Sequence, residues 1–162
     1  MDERAEAAAL TRLRTAGEFI VAGVERCVPD WVVTHVRRIL DAWGRADAST
    51  RDRADEDARV AGRQAADRLT RELRALLALD ATDQRSTPLE VVRTAVREPT
   101  RVLEAAGVPP VVRDDFDERA FPDDRYGLVP RTLGDLGDAS LAPLHLEWGM
   151  AKAAVLRARS GR

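Results

Sequence analysis

Five side chains near the end of the chain have the types needed to hold a small anion: Asp124, Tyr126, His145, Trp148 and Lys152. An ammonium beside an indole gives a cationic corner with an aromatic wall, and a histidine changes charge near neutral pH. A tyrosine hydroxyl and a carboxylate can orient polar atoms around them. His145, Lys152 and Arg159 are seven residues apart and share one side of a helix, and Gly149 leaves room there for a neighbouring backbone or a ligand. The spacing therefore places a ligand site between the 121–128 stretch and the last helix. The competing reading makes Gly149 a helix crossing, lets Lys152 snorkel to water, and puts Trp31, Trp43 and Trp148 in the core.

Other chemistries fail on spelling. A ferritin-like carboxylate site needs Glu three residues before each His, but Val32 precedes His35 and Ala142 precedes His145. There is no His-Glu-x-x-His, Cys-x-x-Cys or Gly-x-Ser-x-Gly, and Gly134-Asp135-Leu136-Gly137-Asp138 lacks the Lys-Ser/Thr of a phosphate loop. The acids at 114, 115, 117, 118, 123 and 124 do not spell a calcium loop, because Arg119 and Ala120 stand where a ligand and a turning glycine belong. Interleaved with Arg113, Arg119 and Arg125, they predict a local salt-bridge net. Leu103-Glu104-Ala105-Ala106-Gly107-Val108 has a superficial likeness to the turn of TetR-like DNA-binding domains, but prolines open the next segment and acids would face phosphate. No catalytic residue, metal or cofactor is assigned, and nucleic acid is not expected as a partner.

Composition agrees with this. The net charge of -2 over 162 residues gives no general attraction to nucleic acid or anionic lipid, and 44% apolar residues can build one core. Lys152 is the only lysine among 26 basic residues, there is no asparagine, and only Ile20 and Ile39 are isoleucine. That skew reads as GC-rich codon usage. The single Cys27 sits on an apolar helical stripe and suits inert packing in a reducing cytosol. The start, Met1-Asp2-Glu3-Arg4, does not read as an export signal, and no apolar run is long enough to span a membrane. A cytoplasmic setting is expected.

The positioning elements read as helices. Leu10, Leu13, Gly17, Ile20, Val24 and Cys27 step by three and four, predicting a helix over 2–28 that Pro29 stops, with Asp30 capping a second over 30–43. Residues 45–68 carry Val60 as their only large apolar side chain, alanines at 54, 58, 61 and 65, six arginines and six acids. They predict a charged helix capped by Ser49 or Thr50, either solvated or protruding as an arm. Leu69, Leu73, Leu76 and Leu77 then dock its second half. Thr87-Pro88-Leu89-Glu90 spells a capping box with proline at the first helical position. Gly107 ends the helix begun there, and Pro99 predicts a kink inside it.

A short helix near 111–120 and an ordered loop anchored by Phe121, Tyr126, Leu128 and Leu133 follow. Thr132 is placed to cap a brief turn. The last helix begins near Asp138 or Ser140 with Leu141, Leu144, Trp148, Ala151 and Val155 on one face; Leu146, Met150 and Ala153 broaden it, so this helix is expected to be the most enclosed. The fold class is all-α: a single-domain bundle, 1–162, of about five main helices with an ordered Pro/Gly/Asp-rich loop before the last.

At Thr87-Pro88-Leu89-Glu90-Val91-Val92-Arg93, Phe121-Pro122-Asp123-Asp124-Arg125-Tyr126-Gly127-Leu128 and Trp148-Gly149-Met150-Ala151-Lys152-Ala153, the chain resembles a family of small uncharacterised helical proteins from high-GC actinobacteria. That resemblance, confined to the second half, implies a cytosolic setting and transfers no catalytic residue. The expectation is a non-catalytic interaction or regulatory protein, self-associating or docking a protein partner through the alanine-striped helix over 50–79. The alternative is a small-anion binder or enzyme at the five residues named first.

Overall fold

A computed structural model describes residues 3–83 and 85–161; the expected helix start at Asp2 lies outside them. The described residues form an all-α bundle without a strand. Its spine is α1, Glu3–Trp43, one unbroken helix. The predicted stop at Pro29 is therefore corrected, as is the cap at Asp30. Pro29 cannot donate to the Glu25 carbonyl, but Glu25 is exposed, so that carbonyl can turn to water. The same stripe continues past the proline: Ile20, Val24, Val28, Val32 and Val36 are all buried, and their packing outweighs one missing hydrogen bond.

Helix α2, Ala48–Ala78, runs back along α1 after a short connection, with Asp47 rather than Ser49 or Thr50 as its cap: the Asp47 carboxylate accepts from the Thr50 amide at 2.7 Å. The two helices form an antiparallel hairpin, marked by Arg37 bonded to Asp55 at 2.6 Å and Gly17 against Leu77. The alanine stripe is the seam. Ala54, Ala58, Gly62, Ala65 and Ala66 are buried, and a Cβ built on Gly62 would lie 2.7 Å from the Pro29 carbonyl oxygen. Small residues on α2 let α1 approach backbone to backbone, so the surface expected to dock a partner is covered by the chain's own first helix. Leu69 and Leu73 extend the seam with full side chains.

Helices α3 (Pro88–Arg93) and α4 (Arg97–Ala105) are joined by a 3-10 turn, Thr94–Val96, just before Pro99. Tightening there accommodates the missing proline donor. The capping box is present, Glu90 N–H bonding Thr87 Oγ1 at 3.3 Å and Thr87 N–H bonding Glu90 Oε2 at 3.4 Å. At the other end Gly107, with φ +80°, and Val108 bond back to Glu104 and Leu103 as a Schellman pair. Arg68 of α2 ties α4 down: its guanidinium reaches both carboxylate oxygens of the buried Glu98, at 3.0 and 3.1 Å, and the Thr94 hydroxyl at 2.9 Å.

After α5 (Asp115–Ala120) and two 3-10 turns, α6 spans Ala142–Ser160. It lies antiparallel to α1, Leu141 covering Gly23 at one end and Arg159 bonding Glu6 at 2.9 Å at the other. Arg159 also pairs with Asp80 just beyond α2, so one guanidinium joins three helix ends. Among the described residues no helix is long and apolar enough to cross a membrane.

Candidate functional site

The loop between α5 and α6 holds itself by its polar groups. The Asp124 carboxylate, 4% exposed, accepts from the amides of Leu128 at 2.6 Å and Val129 at 3.0 Å. The Tyr126 hydroxyl donates to the Val108 carbonyl at 2.7 Å, fastening the loop to the end of α4. Burial first, and the Glu104 carboxylate second, raise the Tyr126 pKa above its usual 10.0, keeping the phenol a donor. Asp135 accepts from the Arg131 and Thr132 amides at 2.8 and 2.9 Å and stabilises the turn at Thr132. Two guanidinium groups lie against the Phe121 ring, Arg93 at 5.3 Å and Arg131 at 5.2 Å from its centre.

The expected local salt-bridge net takes another form. Arg113 donates to the Phe121 carbonyl at 2.5 Å, Arg125 reaches Glu104 of α4 at 2.8 Å, and Asp117 of α5 pairs with Arg131 of the loop. Asp114 caps α5 by accepting from the Asp117 amide at 2.7 Å. Among the described residues no three His, Cys, Asp or Glu side chains are grouped to hold a metal ion.

On α6, Trp148 is 1% exposed in the core and the Lys152 ammonium lies 5.3 Å above its ring. His145 is half-buried, and its Nδ1 and the Trp148 Nε1 are buried without a hydrogen-bond partner among the described residues. Gly149 is exposed and a Cβ there would meet nothing within 4 Å, so it is no crossing point. Cys27 is half-buried against the core. The other histidine, His35, stacks on Trp31 at 4.7 Å.

The open space lies on the opposite side of α6. A groove of about 680 Å³ runs between α1 and α6, floored by Ala16, Ala151 and Ala154 and walled by Phe19, Leu144 and Met150. Asp124, Tyr126, His145, Trp148 and Lys152 are not among its lining residues. One of its wall side chains belongs to the set expected to bury α6: Met150 is 62% exposed, beside Phe19 at 60%, and Leu146, from the same set but outside the groove, is 65% exposed. The expectation of a most enclosed last helix is corrected, since only Trp148, Ala151 and Val155 of α6 are buried. Leu146 and Met150 lie off the buried stripe of α6, and no element among the described residues covers them.

The groove has polar ends. Because α1 and α6 are antiparallel, Arg12 and Arg157 share one end, while Glu147 stands at the other beside Phe19. None of these three side chains forms an ion pair among the described residues. Sequence reasoning missed the groove because Met150 keeps helical spacing with Leu146 and Ala153, which groups it with the face expected to bury α6. Comparison with family models, with curated proteins and with solved structures finds no match for this chain.

Proposed function

We propose that the protein is a non-catalytic, cytosolic docking protein whose working surface is the face shared by α1 and α6. One observation carries this reading: Phe19 and Met150 stand more than half exposed on the walls of an apolar groove floored by alanines. A contiguous exposed apolar face is costly in water and marks a surface completed by another molecule. Methionine beside alanine gives such a surface adaptable shape, and a partner helix can lay an apolar stripe into it. The polar groups of the loop, by contrast, are engaged in holding its backbone.

A photo-crosslinking residue in place of Met150 is expected to capture a polypeptide in cells, and one in place of the exposed Arg63 on α2 is not. A Met150 position that yields no polypeptide adduct refutes the docking reading. The second reading rests on Arg12 and Arg157 at one end of the groove, which suit an amphipathic carboxylate with its tail on the alanines. Decanoate would then raise the melting temperature, and Arg12→Ala with Arg157→Ala would abolish the rise.

A further inference from the structure

We propose that the occupant of this face is a second copy of the same chain, laid antiparallel across it by a two-fold axis; this rests on the docking reading above. The order of charges along the groove selects this occupant. Glu147 and Arg157 both line it from α6, ten residues apart, which on a helix is about 15 Å. Between them the lining is uncharged: Met150, Ala151, Ala153 and Ala154. Arg12 of α1 lies at the Arg157 end.

Two faces related by a two-fold axis can meet in two ways along such a groove. An axis parallel to the groove sets arginines on arginines and Glu147 on Glu147. An axis lying across the groove, level with the middle of the stretch between Glu147 and Arg157, sets each Glu147 opposite the other copy's Arg157, twice, with Ala151 and Ala153 near the axis. Only the second arrangement sets opposite charges on each other, and it gives Glu147 and Arg157 partners while covering Phe19 and Met150. A partner with uniformly basic or acidic flanks would leave one end of the groove facing like charge.

The size of the face sets the strength. Nineteen residues make α6 about 28 Å long, and two helices side by side are about 20 Å wide. That is a small footprint against the roughly 800 Å² per partner of a standard interface, so a weak, concentration-dependent dimer is expected.

Sedimentation equilibrium from about 1 µM to 1 mM, spanning the range of weak complexes, tests this. The expected result is a mass rising from 17.8 kDa toward twice that value, with dissociation favoured by added salt. Glu147→Arg and Arg157→Glu each replace two attractions by two repulsions and are expected to weaken the dimer on the order of 10-fold. The Glu147→Arg/Arg157→Glu double variant restores the pairing and recovers to within about 3-fold. Both positions are exposed, and circular dichroism confirms the fold of each variant. A monomer at every concentration overturns the proposal; polypeptide adducts at Met150 would then still leave the docking reading standing with a different partner. A dimer indifferent to both single changes and to salt, or a double variant that fails to recover, overturns the antiparallel arrangement.

Discussion

Gly62→Ala is expected to destabilise the protein, although alanine is the better helix former. In α2 the exchange alone would stabilise by about 1 kcal/mol. The new Cβ would lie 2.7 Å from the Pro29 oxygen, 3.0 Å from its Cα and 3.2 Å from its carbonyl carbon, all backbone atoms that no rotamer change can move. Ordinary contact begins near 3.4 Å, so α1 and α2 must part by about 0.7 Å at the centre of their seam. Overpacking of that kind costs about 2–3 kcal/mol, leaving a net loss of about 1–2 kcal/mol and a melting temperature lower by roughly 2–8 °C. Gly149→Ala is the matched control: nothing lies within 4 Å of its Cβ, so it should gain about 0.5–1 kcal/mol. Urea denaturation of dilute protein with far-ultraviolet dichroism measures both. If Gly62→Ala stabilises as Gly149→Ala does, the close backbone approach at Pro29 is not what selects glycine there.

Two further expectations follow from buried and titrating charge. Arg68→Ala strips the fork from Glu98, only 6% exposed, and should cost about 3–5 kcal/mol in denaturant unfolding, whereas Arg68→Met/Glu98→Leu should cost far less than the two single losses together. A single-variant loss below about 1 kcal/mol would contradict the role given to this pair. Acid should destabilise the fold in two stages. Burial, then Arg38, lowers the His35 pKa below the usual 6.5, so the unfolded chain binds that proton more tightly; the contribution is complete above about pH 6.5 and is lost as pH falls through the folded value. Asp47, Asp55, Asp80 and Asp138 are lowered from 3.8, with Asp80 reaching about 2 through its bond from the Thr82 amide and then from Arg159, so their contribution disappears as pH falls from near 4 toward 2. Urea midpoints from pH 8 to 2 should show both stages, and His35→Gln should remove only the upper one.

Local chemistry made part of the fold legible. Thr87, Pro88 and Glu90 fix a helix start through groups within one turn of each other, and Gly107 fixes an end in the same way. Pro29 misled because its cost is local while its compensation is not: the valine stripe on both sides and the glycine opposite, 33 residues later, are set by α2. The alanine stripe was open to two readings, since small side chains suit a partner helix and an internal seam equally; only the hairpin geometry decides. The five residue types that suit an anion were legible, but not where the fold would put them. Asp124 and Tyr126 are used by their own loop, and the groove faces the other way. Helical periodicity reports that a face is apolar without reporting what covers it, so Leu146 and Met150 read as core.

The Arg159 clamp also governs how the bundle can be assembled in time. Its guanidinium meets Glu6 across 153 residues of chain, so α6 closes against a helix made long before it. The hairpin of α1 and α2 can pair as soon as it emerges, because its contacts are nearer in sequence, but the side of α1 at Ala16 and Gly23 must stay wet until the last helix arrives. By the same reasoning α6 is the natural first unit to open in the finished molecule. Its departure would bare the flank of α1 that Leu141 and Ala151 cover, so α6 sets both when that flank is buried and the route by which the bundle comes apart.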